Sequence, residues 1–131
     1  KDLPYIRKRA AQLFSKTRFI AAQFEAYLAD GLWLKLAARA NETAARLADA
    51  VRESPRCPLA WGVEANEVFV IVDRTLAEEW RRRGVGCHLW PAPGDLVESL
   101  GEGEVIARLV TSFSTTDEEV EAFRKLLAAD G

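Results

Sequence analysis

The residue with the clearest chemical demand in this sequence is Arg108, set inside the apolar, β-branched run "EVIARLVTSF" from Glu104 to Phe113. Alternation along a strand puts Ile106, Arg108 and Val110 on one face and Val105, Ala107 and Leu109 on the other. Both faces read as covered, and an ionised side chain in such a place is costly unless a matching anion meets it. A planar guanidinium suits a carboxylate, which it grips through paired, charge-assisted hydrogen bonds that lysine cannot imitate. The residues alone leave three partners open: an external carboxylate, an internal glutamate, or solvent reached by snorkelling at a sheet edge.

Other groups that carry chemistry explain themselves more simply. Cys87 and His88 are adjacent in "GVGCHLW", so a strand would point them to opposite faces and no nucleophile–base pair arises. Both read as packing residues of a core or an interface. Cys57 and Cys87 are the only cysteines, there is no CxxC spacing, and His88 is the single histidine, so neither a zinc set nor a disulfide framework is indicated. The glycines of "GVG" and "GEGE" lack the strand, turn and lysine of a phosphate loop and read as turns. Carboxylates in "TDEEVE" serve as helix cap and solvated face. Of the basic clusters, Arg7–Arg9 and Arg81–Arg83, the second lies just before Gly84, where cations complement a helix C-terminus.

The elements that position these residues follow from periodicity. From Tyr5 to Leu28, apolar residues recur at Leu13, Phe14, Ile20, Ala21, Phe24 and Leu28, the spacing of one helical face. Asp30 and Gly31 interrupt it. A second helix reads from Leu32 to Arg52 with Trp33, Leu36, Ala40, Ala44, Leu47 and Val51 as its stripe, and Pro55 and Pro58 end it. Beyond Pro58 the texture changes. Val68–Val72, "VFVIV", reads as a buried strand, Asp73 caps a helix to Arg83, and a strand follows at Cys87–Trp90 before a Pro- and Gly-rich loop. After the Arg108 strand, Thr116 and Glu119 make a capping box for a last helix with Val120, Phe123 and Leu127 inward. The fold class expected is α+β: a small sheet of about three to four strands covered by helices, with a long N-terminal helix leading in.

Length and composition bound the rest. The 131 residues, 49% hydrophobic and 29% charged, suit one soluble globular domain with a real core. A net charge of -2 and a pI near 5.5 give no general electrostatic reason to bind nucleic acid or anionic lipid, so neither partner is expected. No apolar run is long enough to span a bilayer, and the charged start of the chain lacks a signal-peptide core. The expectation is a reduced, cytoplasmic protein.

Three segments, "RKRAAQLFSKTRFIAAQFEAYLADGLWLKLAARANETAARL", "VEANEVFVIV" and "ARLVTSFSTTDEEVEAF", together resemble the C-terminal portion of low-specificity L-threonine aldolases and related β-eliminating lyases. These are pyridoxal-phosphate enzymes of the aspartate-aminotransferase superfamily. The resemblance runs from about Tyr5 to Leu127, with its segments in the family's order. It implies a division into residues 1–30, a helix linking to a preceding large domain, and residues 31–131, a small C-terminal domain. It also implies that Arg108 binds the substrate's α-carboxylate, and that basic residues of the first helix, Lys16 and Arg18 with Arg9 beside them, lie near the cofactor phosphate or a subunit interface.

By the same resemblance the complete protein cleaves L-threonine or a related β-hydroxy amino acid to glycine and an aldehyde. Its cofactor is pyridoxal 5'-phosphate, held mainly by the large domain. The family's Schiff-base lysine sits upstream, and none of Lys1, Lys8, Lys16, Lys35 or Lys125 lies in a matching motif, so this chain alone is expected to be inactive and to carry no catalytic residue. The expected partners are the N-terminal large domain, a small amino-acid substrate and further copies in a homo-oligomer. Departures exist: "RAAQLFSKTR" replaces a glycine-rich version of the segment, and Ser112 stands where the family more often has histidine, so no role is given to that position. β-Elimination or transamination on the same scaffold, or a non-catalytic interaction domain using Trp33, Trp61, Trp80 and Trp90, are the alternatives.

Overall fold

A computed structural model describes residues 1–129, and the chain divides into two compact units, residues 1–34 and residues 35 onward. The first unit holds α1 (Leu3–Arg9), α2 (Thr17–Leu28), a 3-10 turn (Ala29–Gly31) and the first residues of α3 (Leu32–Arg52). The single helix expected from Tyr5 to Leu28 is therefore broken. Ala11 and Lys16 take left-handed backbone angles, φ 55° and 60°, which a continuous right-handed helix excludes. No residue of α1 or α2 is buried. A helix draws most of its stability from packing an apolar face, so periodicity alone does not carry the chain through the break. Arg7, Lys8 and Arg9 occupy the last turn of α1, where they complement its dipole.

The second unit is built on α3, whose boundaries match the sequence reading. Ala40, Thr43, Ala44, Leu47, Ala48, Ala50 and Val51 are buried along it. That sheet has three antiparallel strands in the order β1 (Glu67–Asp73), β3 (Glu104–Val110), β2 (Cys87–Trp90). On its helix-covered face Val68, Val70, Val72, Cys87, Ala107 and Leu109 form the core with Ala44, Leu47 and Val51 of α3, Leu76, Ala77 and Trp80 of α4 (Arg74–Arg82), and Val120, Phe123 and Leu127 of α6 (Asp117–Ala129). Trp80 is fully buried and meets Phe123 edge-on at 5.1 Å between centroids.

Local chemistry sets the ends of these elements. Asp73 accepts the Thr75 backbone N–H at 2.8 Å as the cap of α4, and its hydrogen bonds with Thr75 hold its carboxyl below the ordinary range. Thr116 and Glu119 form the expected box: the Thr116 N–H donates to Glu119 Oε2 at 2.7 Å and the Glu119 N–H donates to Thr116 Oγ1 at 3.2 Å. After α4, Arg81 Nε donates to the Cys87 carbonyl at 2.9 Å, so one residue of that basic cluster ties the helix end to β2. A short helix, α5 (Gly94–Val97), lies in the stretch that reads as loop.

β3 ends at Val110 rather than Phe113 because Thr111 turns inward. Its hydroxyl donates to Ala40 O at 2.8 Å, and Asn66 Nδ2 donates to Thr111 O at 2.8 Å. The outer edge of β1 is covered in turn by the preceding loop, where Ala60 N–H donates to Phe69 O and Ile71 N–H to Pro58 O, each at 2.8 Å. No helix among the described residues is long and apolar enough to cross a membrane.

Candidate functional site

The strand register settles which residues surround Arg108. Phe69 of β1 and His88 of β2 both lie directly opposite it, and period-two alternation adds Glu67 and Trp90 to the same face. This face stands outside the helix-packed core. Val110 and Trp90 are 48% and 41% exposed and His88 is exposed, whereas Ile106 and Phe69 on the same face are buried, so the expectation that both faces of the strand are covered holds at Ile106 and fails toward Val110 and Trp90. The reason is the placement of the helices: the core residues of α3, α4 and α6 all cluster with the Val68, Val70 and Leu109 side. What lines the Arg108 side instead is a run of rings, Trp61 to Phe69 at 4.4 Å and Phe69 to Trp90 at 5.7 Å.

Arg108 is held from two directions and left incomplete in a third. Its Nη1 donates to Glu67 Oε1 at 3.1 Å, and its guanidinium carbon lies 4.5 Å from the centroid of the Trp90 ring, a cation–π contact. Its Nε is sealed from solvent with no acceptor. Only one nitrogen meets one oxygen, so the internal ion pair is not a fork. With side chains 26% and 40% exposed, such a pair contributes at most about 1 kcal/mol, whereas a buried donor without a partner costs about 1–3 kcal/mol. The internal-glutamate alternative is thus present in the structure, and it satisfies the guanidinium only in part.

The other sequence candidates lie elsewhere or read differently. Lys16 caps α2 in a left-handed conformation, and Arg18 sits over the Phe19 ring at 5.0 Å; both are exposed in the first unit. Lys1, Lys8, Lys16, Lys35 and Lys125 are all exposed. Cys87 and His88 do point to opposite faces. Cys87 is buried, its thiol 3.6 Å from Ala77 O, while His88 is exposed beside Arg108 and is not a core residue.

A cleft of about 460 Å³ between α3, α6 and the loop after α4 does not include Arg108. Its polar side chains Arg83, Thr111, Thr115 and Glu119 are already engaged, with Glu79, Ala40, Ser112 and Thr116 respectively. Sequence reasoning did not bring Glu67 or Trp90 to Arg108. Alternation places Glu67 with Phe69, but only the register brings it to Arg108.

No family model matches the sequence. A low-specificity L-threonine aldolase of Pseudomonas aeruginosa is 37% identical over 120 residues, covering 92% of this chain and 32% of that protein. The chain resembles the low-specificity L-threonine aldolases. A second such enzyme, from a Pseudomonas species, is 40% identical over 84 residues, 64% of this chain and 24% of the relative. The solved structure of Leishmania major threonine aldolase superposes with a TM-score of 0.79 at 26% identity, over 96% of this chain and 34% of that one. The α+β arrangement of small sheet and long helix is therefore a threonine-aldolase small-domain fold. The chain spans about a third of the length of the Pseudomonas aeruginosa aldolase and of the Leishmania structure.

Proposed function

We propose that this chain is the C-terminal, substrate-binding portion of a pyridoxal-phosphate-dependent aldolase that cleaves L-threonine or related β-hydroxy amino acids to glycine and an aldehyde, and that Arg108 receives the substrate's α-carboxylate. The observation that carries the reading is a partly exposed guanidinium, 26% accessible, that makes a single side-chain hydrogen bond, from Nη1 to Glu67. A carboxylate presenting two oxygens supplies what the single bond to Glu67 does not. The likeness to threonine aldolases over 92% of the chain supports the choice of an amino acid as the carboxylate's bearer.

In this reading the chain's work is positional. β3 is the central strand, hydrogen-bonded on both sides, so Arg108 projects from a backbone tied to two neighbours and holds the carboxylate against that frame. Trp90 lies against the guanidinium at 4.5 Å and is itself packed on Phe69 and, through it, Trp61, which steadies the cation. Pyridoxal phosphate, when bound, supplies the electron sink for breaking the Cα–Cβ bond. In this reading that cofactor is held mainly by a preceding large domain, as the likeness to threonine aldolases implies. Residues 1–30 serve as the link to it, with Lys16 and Arg18 placed for its phosphate or for a neighbouring subunit of a homo-oligomer. The exposure of Phe14, Phe19 and Phe24 in the first unit suits such contacts. The same carboxylate clamp would serve β-elimination or transamination equally.

The test is Arg108→Lys in the complete enzyme. Charge is kept and the fork is lost, so kcat/KM for threonine is expected to fall by about two to four orders of magnitude, roughly 3–5 kcal/mol, with cofactor absorbance and melting temperature little changed. A loss of stability without a kinetic defect ends the assignment.

A further inference from the structure

We propose that Glu67 is a resident carboxylate that occupies Arg108 in the absence of substrate and is displaced when the substrate's carboxylate arrives, so that it sets the affinity of the site; this rests on the reading that Arg108 binds that carboxylate. The geometry of the resting pair points to exchange rather than to a permanent lock. One nitrogen meets one oxygen at 3.1 Å, and the Nε of the same guanidinium remains buried without an acceptor. An arginine offers five N–H donors in a fixed fork. A free carboxylate that can approach the fork with both oxygens satisfies more of them than Glu67 does from its place on the neighbouring strand.

The loss on release is small. The Glu67 side chain is 40% exposed, so it passes from the ion pair into water without crossing an apolar layer. The guanidinium does not lose its support in the exchange either. Trp90 attracts it through a ring face 4.5 Å away, a contact that tolerates a shift of the cation within its plane and holds the positive charge in place while one anion replaces another. Phe69, directly opposite Arg108, packs edge-on against Trp90 and so supports that ring. Glu67 also keeps the empty site electrically balanced, and it sets a threshold. A two-oxygen anion out-competes it, whereas a neutral amide, with a single weak acceptor, does not. The discrimination is therefore for amino acids with a free α-carboxylate.

The experiment uses the full-length protein that carries this chain. Glu67→Gln removes the competing charge with little change of shape. KM for L-threonine is expected to fall about three- to five-fold, the size of one partly exposed ion pair. The dissociation constant for glycine, followed by tryptophan fluorescence without turnover, falls by the same factor. Glu67→Ala gives the same direction, and melting curves on each variant show that the fold is retained. A KM that is unchanged or raised in both variants overturns the proposal, because Glu67 then only props Arg108. Arg108→Lys separates the two levels. If it leaves kcat/KM intact, the carboxylate-binding reading itself fails and the exchange with it; if it is damaging while both Glu67 variants match the wild type, only the exchange fails.

Discussion

On one face of the sheet Val68, Val70, Val72, Ala107 and Leu109 are packed against α3, α4 and α6, while on the other Glu67, Phe69, Arg108, His88 and Trp90 stand outside that core. The same strands supply both. The helix-covered face contains branched aliphatics and alanine, whose value is area removed from water, and its single buried aromatic from α4, Trp80, is enclosed completely. The opposite face carries a cation, an anion, a histidine and rings around the buried Ile106. Stability and recognition are therefore assigned to opposite sides of a single backbone, and period-two alternation is what allows it. A change on one side should register in one kind of measurement and leave the other kind alone.

The largest expected departure on the core side comes from Trp80→Ala. Emptying that enclosed site should lower unfolding free energy by about 3–5 kcal/mol, read by denaturant titration, while KM for threonine in the surviving folded enzyme stays near the wild-type value. A KM defect of the size expected for Arg108→Lys would blur the division between faces. Thr111→Val should be smaller. It keeps the shape but removes the hydroxyl that donates to Ala40 O and, at 3.3 Å, to Asn66 O, for a loss of about 1–2 kcal/mol. Because Thr111 lies just past β3 and ties its end to α3, a modest rise in KM accompanying that loss would show that the core side also tunes the placement of Arg108.

The smallest effect concerns acid. Asp73 has its carboxyl pKa held below the ordinary 3.8 by the hydrogen bonds from Thr75. A depressed folded value means that the contribution is fully present above the unfolded pKa and is lost as pH falls through the folded one. Asp73→Asn keeps a helix cap but cannot titrate, so its melting temperature should fall less steeply than the wild type's below about pH 4, the ordinary carboxylate range. An unchanged acid limb would mean that other carboxylates dominate it.

Where interactions are local, the sequence was enough. The bounds of α3, the Asp73 cap, the Thr116–Glu119 box and the opposition of Cys87 to His88 all depend on residues a few positions apart, and each is found as expected. Arg108 announced itself for the same reason, as a charge in an apolar strand. The continuous helix from Tyr5 to Leu28 failed because its apolar stripe is not buried, and periodicity without packing does not hold a helix together.

The surroundings of Arg108 were beyond local reasoning. Glu67 is separated from it by 41 positions, and Trp90 reaches it from the other neighbouring strand. That meeting follows from β3 lying between β1 and β2 in antiparallel register, a choice made by the packing of three helices on the opposite face. By itself the sequence determined that Arg108 would need an anion. Which carboxylate the fold would offer it, and how incompletely, was decided only by the tertiary structure, because strand order and register are properties of the assembled core and not of any one strand.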